Sequence, residues 1–115
     1  ALLEKILGMD EGASYLGEAA LVPYDSPINR TGILFYNTLF DENACCHLAL
    51  GKGYSNTIEH FERYERSDFL EMGVNDSSVH VDFMIGSEDL EITGVTKTGE
   101  RIRVFENGTW SPALR

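Results

Sequence analysis

Two short stretches of the sequence join imidazole to carboxylate. Phe40-Asp41-Glu42-Asn43-Ala44-Cys45-Cys46-His47 sets Glu42 five positions before His47, and Val79-His80-Val81-Asp82-Phe83 sets His80 two positions before Asp82. The second pair sits in an apolar, β-branched run. In a strand, residues two apart project from one face, so His80 and Asp82 are expected to point together. Imidazole nitrogen and carboxylate oxygen are ligands of zinc, cobalt and manganese. Residues 39–82 are therefore read as most of a divalent-metal site. A His-x-Asp by itself more commonly describes a buried pair that satisfies its own hydrogen bonds. His60, between Glu59 and Glu62, reads as an exposed helical histidine rather than a ligand.

The elements that must position these groups follow from pattern and punctuation. Leu2 to Leu7 predicts a short helix closed by Gly8, and Asp10 to Ser14 a turn. Ala19 to Val22 is short and apolar between Gly17 and Pro23, which predicts a buried strand headed by Glu18. On local pattern that carboxylate is expected at an exposed mouth. Ile33 to Tyr36 predicts a further strand, with an irregular connection over Asn37 to Asn43. Cys46 to Gly51 fits a strand or a helical turn, with Gly51 and Gly53 favouring strand or open loop. Ile58 to Met72 carries a partial helix signal, and Asn75 to Ser78 is a turn. From Val79 the pattern is β: 79–85, 90–95 and 101–105, then Asn107-Gly108 as a hairpin turn before Thr109-Trp110. The fold expected is α+β, a mostly antiparallel, curved β-sheet with one or two helices.

The chain has 115 residues, enough for one domain with a core. Nineteen acidic against nine basic residues give a formal charge of −10. Phosphate binding needs clustered Lys and Arg, so nucleic acid is excluded as a partner. No apolar run approaches the roughly 20 residues of a membrane helix, so no membrane partner is expected. Cys45 and Cys46 are adjacent and form no disulfide framework, which suits a reducing cytoplasm and a packing role.

The order of the whole chain resembles the thermophilic metalloprotease family of bacterial aminopeptidases, which includes aminopeptidases T and S. The resemblance is carried by Leu16-Gly17-Glu18-Ala19-Ala20-Leu21-Val22-Pro23, Asp25-Ser26-Pro27-Ile28, the run from Leu34 to Ala44, and the run from Asn75 to Gly86. It implies Glu18, Glu42, His47, His80 and Asp82 as metal-site residues, reversing the local reading of Glu18. It implies Tyr54 as an active-site tyrosine whose phenol stabilises an oxyanion. Cys45 stands where the family commonly has Ser, and Tyr54 lies between Gly53 and Ser55 where Ala and Pro are usual. The family also places another metal-binding glutamate well upstream, in a larger enzyme with an N-terminal domain. Residues 1–115 are thus expected to be the C-terminal metal-binding region of a larger metallopeptidase, N-terminal domain absent, incomplete and weakly active alone.

Three carboxylates and two imidazoles exceed what one tetrahedral zinc takes and suit two divalent ions sharing a water. That is the chemistry of amide hydrolysis at a peptide N-terminus, and the resemblance implies the same: a two-metal aminopeptidase acting on peptides. The intact enzyme is expected to be a homodimer. Two other classes fit parts of the pattern. A mononuclear non-haem iron enzyme also uses His-x-Asp but expects a second histidine downstream, and none follows His80. A noncatalytic β-rich interaction or dimerisation module would use these residues structurally.

Overall fold

The computed structural model describes residues 1–115. Two compact units divide the chain, one of residues 1–19 with 48–83, the other of residues 20–47 with 84–115. The strands form two three-stranded sheets, ordered β1 (Leu16–Ala20), β2 (His47–Gly51), β3 (His80–Met84) and β4 (Ile92–Val95), β5 (Arg101–Glu106), β6 (Thr109–Trp110). The helical part is spread over four short helices and five 3₁₀ turns. The α+β class holds.

In the first unit, α1 (Leu2–Leu7) ends at Gly8, whose N–H returns to the Glu4 carbonyl. A 3₁₀ turn, Glu11–Ser14, buries Ala13 and leads into β1. The end of β2 is held on both sides: Gly51 N–H donates to the Tyr15 carbonyl at 2.8 Å and Lys52 N–H to the Val79 carbonyl at 2.7 Å. Gly51 has φ +97°, and an added Cβ would stand 2.8 Å from the Val79 carbonyl carbon and closer still to its oxygen. Only glycine fits there. The helix signal of 58–72 resolves into a 3₁₀ turn, Phe61–Arg63, and α4 (Arg66–Glu71).

In the second unit, α2 (Pro27–Arg30) starts on Ser26, whose hydroxyl oxygen accepts from Asn29 N–H and donates to the Ala44 carbonyl. The expected strand over Ile33–Tyr36 does not form. Tyr36 takes φ +54°, outside the extended backbone of a regular strand, and the Asp41 carboxylate accepts from Phe35 N–H at 2.9 Å and Asn37 N–H at 3.1 Å. A side chain thus satisfies donors that a ladder would have used. The connection expected to be irregular is instead α3 (Thr38–Asp41), capped by the Asn37 side chain accepting from Leu39 N–H. Both cysteines are buried and free; Cys46 Sγ meets Val22 O and Val22 N–H at 3.3 Å each, and burial pushes its thiol pKa up. β4 and β5 pair antiparallel with a bulge between Ile92 and Thr93. Asn107 and Gly108, at φ +51° and +72°, turn β5 into β6 as the hairpin signal requires. Phe105 is fully buried against Trp110, ring centroids 4.7 Å apart.

Candidate metal centre

β1 and β3 contribute residues to one cluster. Glu18 is the middle residue of β1 rather than its head, because the strand starts at Leu16, not at Ala19. His80 and Asp82 are the first and third residues of β3 and share a face, as their spacing requires. His80 Nε2 lies 3.3 Å from Asp82 Oδ1 and 3.5 Å from Glu18 Oε2. Its other nitrogen, Nδ1, lies 2.7 Å from the Lys52 carbonyl oxygen. A carbonyl only accepts, so this bond keeps the proton on Nδ1 and turns the Nε2 lone pair toward the two carboxylates.

That arrangement brings three acceptors face to face. It calls for positive charge among them, either a proton on Nε2 or a cation. Asp82 Oδ1 is shut away from solvent and makes no aligned hydrogen bond, despite the nearby imidazole. The spacing suits a metal. Oxygen and nitrogen ligands about 2.0–2.1 Å from a tetrahedral ion stand about 3.4 Å from one another, close to both separations seen at His80.

His47 opens β2 and is almost fully buried, with Nδ1 3.1 Å from the Cys45 carbonyl oxygen. The division between the two units falls at the next peptide bond, within the strand. Glu18 and Asp82 each present one ligand atom within 4.8 Å of the other. The donor set therefore fits a divalent cation: oxygen and nitrogen only, two anionic charges, and an acceptor oxygen with no competing donor.

Tyr54 follows the same turn that holds His80. Its ring centroid is 4.9 Å from that of His80, tilted by 48°, and 46% of the residue is exposed. Glu42 is half-buried at the start of the 3₁₀ turn Glu42–Ala44, outside the three-residue group. His60 is exposed as expected, but it occupies a left-handed turn at φ +59° rather than a helix, with Glu59 and Glu62 carboxylates 3.6 and 3.8 Å away. The Lys52 carbonyl was not foreseen. Its one sequence signal is the Gly51-x-Gly53 spacing, which lets backbone rather than side chain approach the site.

Residues 1–110 match the thermophilic metalloprotease (M29) family, and the chain belongs to that family. Aminopeptidase AmpS of Bacillus subtilis (strain 168) is 53% identical over 110 residues, covering 96% of this chain and 27% of its own length. Aminopeptidase T of Thermus aquaticus is 47% identical over 109 residues, 95% of this chain and 26% of its own. The structure of wild-type AmpT from Thermus thermophilus superposes with a TM-score of 0.81 at 46% identity, over 95% of this chain and 26% of that one. The chain thus spans about a quarter of the length of these relatives. No helix in it is long and apolar enough to cross a membrane.

Proposed function

We propose that residues 1–115 form the C-terminal metal-binding region of a larger aminopeptidase that removes N-terminal residues from peptides with the help of two divalent ions, zinc, cobalt or manganese. The observation that carries this reading is the convergence of Glu18 and Asp82 within 4.8 Å, with His80 Nε2 beside both. Membership of a metalloprotease family and the aminopeptidase names of the relatives support it.

In this reading Glu18, Glu42, His47, His80 and Asp82 hold the ions. Once bound, such ions acidify a water molecule and polarise the scissile carbonyl. The remaining work falls to the chain. The Lys52 carbonyl keeps the proton of His80 on Nδ1, so that Nε2 stays available as a donor of its lone pair. Tyr54, half-exposed beside His80, donates its phenolic hydrogen to the carbonyl oxygen as charge builds there. The acidic excess of the chain favours approach of a peptide's cationic N-terminus. Cytoplasmic residence and a homodimeric assembly belong to the same proposal.

The test uses the intact enzyme and an aminoacyl anilide. Chelation should abolish hydrolysis, zinc, cobalt or manganese should restore it, and elemental analysis should find two ions per chain. Full activity after verified metal removal refutes the mechanism. Iron alone would favour the mononuclear iron enzyme, and no metal the interaction module.

A further inference from the structure

Asn75 lies in the turn between α4 and β3, half-buried and outside the ligand set. Its carboxamide nitrogen carries two hydrogens, and both find carbonyls. Nδ2 donates to Gly51 O at 2.6 Å and Gly12 O at 2.8 Å, with Tyr15 O at 3.5 Å. The backbone carbonyl of Asn75 accepts from Gly53 N–H at 2.8 Å. One residue therefore ties together the turn before β1, the end of β2 and the approach to β3.

Lys52 sits between the two points, Gly51 and Gly53, that Asn75 grips. It is also the residue whose carbonyl fixes His80 Nδ1 and whose N–H donates to Val79 O, each at 2.7 Å. We propose that Asn75 is a positioning residue for the metal centre, acting through the Lys52 carbonyl on the orientation of His80. This rests on the reading of the cluster as a metal site. The residue type is specific to the task. A neutral primary amide offers two donors from one atom, whereas a carboxylate would set negative charge against the same carbonyl oxygens. Alanine would leave those carbonyls without their donor and the 51–53 segment free to shift. Metal–ligand distances tolerate only about 0.2 Å, so a small shift of the Lys52 carbonyl is felt at His80.

The experiment compares wild type, Asn75→Ala, Asn75→Asp and Asn29→Ala in the intact enzyme. Asn29 is a matched control: its Nδ2 donates to the Tyr24 carbonyl at 2.7 Å, the same kind of bond in the other unit. Zinc affinity is read by competition with a chelator, and coordination by the visible absorption of the cobalt-substituted protein. Loss of a group that orients a ligand weakens metal binding by about 10- to 100-fold. That loss is expected in both Asn75 variants, with an altered cobalt band and a fall in kcat at KM within about two-fold of wild type. Asn29→Ala should match wild type throughout. Folded Asn75 variants with wild-type zinc affinity and cobalt spectrum would overturn the proposal, as would equal losses in Asn29→Ala. Failure of both Asn75 variants to fold would assign the residue to folding as a whole and overturn it too. If wild type itself binds no zinc, the metal reading falls and takes this one with it; normal binding by wild type isolates the test to Asn75.

Discussion

Replacing Asp82 with Asn should change the sign of its effect with the metal state of the protein. The Asp82 side chain is 12% exposed and that of Glu18 28%, and their ligand atoms lie within 4.8 Å. Two like charges at that separation repel by about 3.5 kcal/mol at an effective dielectric of about 20. Solvent around Glu18 and dissolved salt reduce this to roughly 1–3 kcal/mol. In metal-stripped enzyme the substitution removes that repulsion while keeping the side chain's shape, so the stripped variant should be the more stable one. With zinc present the order should reverse, because the variant lacks an anionic ligand and gains little from the ion. Zinc at about 100 times its dissociation constant adds about 2.7 kcal/mol to a protein that binds it only when folded. The assay is thermal melting of both intact proteins, stripped and then titrated with zinc. The stripped variant should melt a few degrees above stripped wild type, and the curves should cross as zinc is added. A stripped variant that melts lower, with equal gains from zinc in both proteins, would refute the reasoning and leave Asp82 as a structural partner of His80.

His80→Ala in the intact enzyme should cost orders of magnitude in anilide hydrolysis, while His60→Ala, exposed among glutamates, should stay near wild type; equal losses would break the assignment. The Asp10 carboxyl, which accepts from Ser78 N–H and from the hydroxyls of Ser78 and Ser77, is lowered from 3.8 to about 2. A depressed carboxyl stabilises above its unfolded pKa and loses that contribution as pH falls through the folded one. The melting deficit of Asp10→Asn should therefore be full at pH 7 and shrink between about pH 4 and pH 2; a deficit independent of pH counts against the bonds. Phe105→Ala empties a fully buried site beside Trp110 and should cost about 3–5 kcal/mol, with Phe105→Leu nearer 1 kcal/mol. Urea unfolding measures both, and a cost below about 1 kcal/mol for the alanine would mean that Phe105 is not part of a tight core.

What could be read from the sequence was what depends on near neighbours. The strand over Arg101 to Phe105, the Asn107-Gly108 turn and the shared face of His80 and Asp82 all follow from local pattern, and all are present, although burial along that strand does not alternate. The misreadings arise where distant partners decide. Ile33 to Tyr36 has the composition of a strand, yet the Asp41 carboxylate occupies its donors and Tyr36 turns left-handed. α3 has only four residues and depends on its Asn37 cap, leaving no periodicity to detect. Glu18 looked exposed because nothing near it in sequence is cationic; its neighbour His80 comes from a strand more than sixty residues away. The Lys52 carbonyl was invisible for a simpler reason. A backbone atom carries no residue type.

Near His80 the strands are spaced by peptide against peptide. A Cβ at Gly17 would stand 2.6 Å from the Lys52 carbonyl oxygen and 2.7 Å from its carbon, much as one at Gly51 would collide with Val79. Neither position can accept even a methyl group without prising adjacent strands apart by more than the tolerance of a metal–ligand bond. Directed evolution here has little room in the scaffold itself. On the proposed function, libraries aimed at a different metal or substrate should leave both glycines alone and vary the proposed ligands or the half-exposed Tyr54, whose replacement leaves the frame in place.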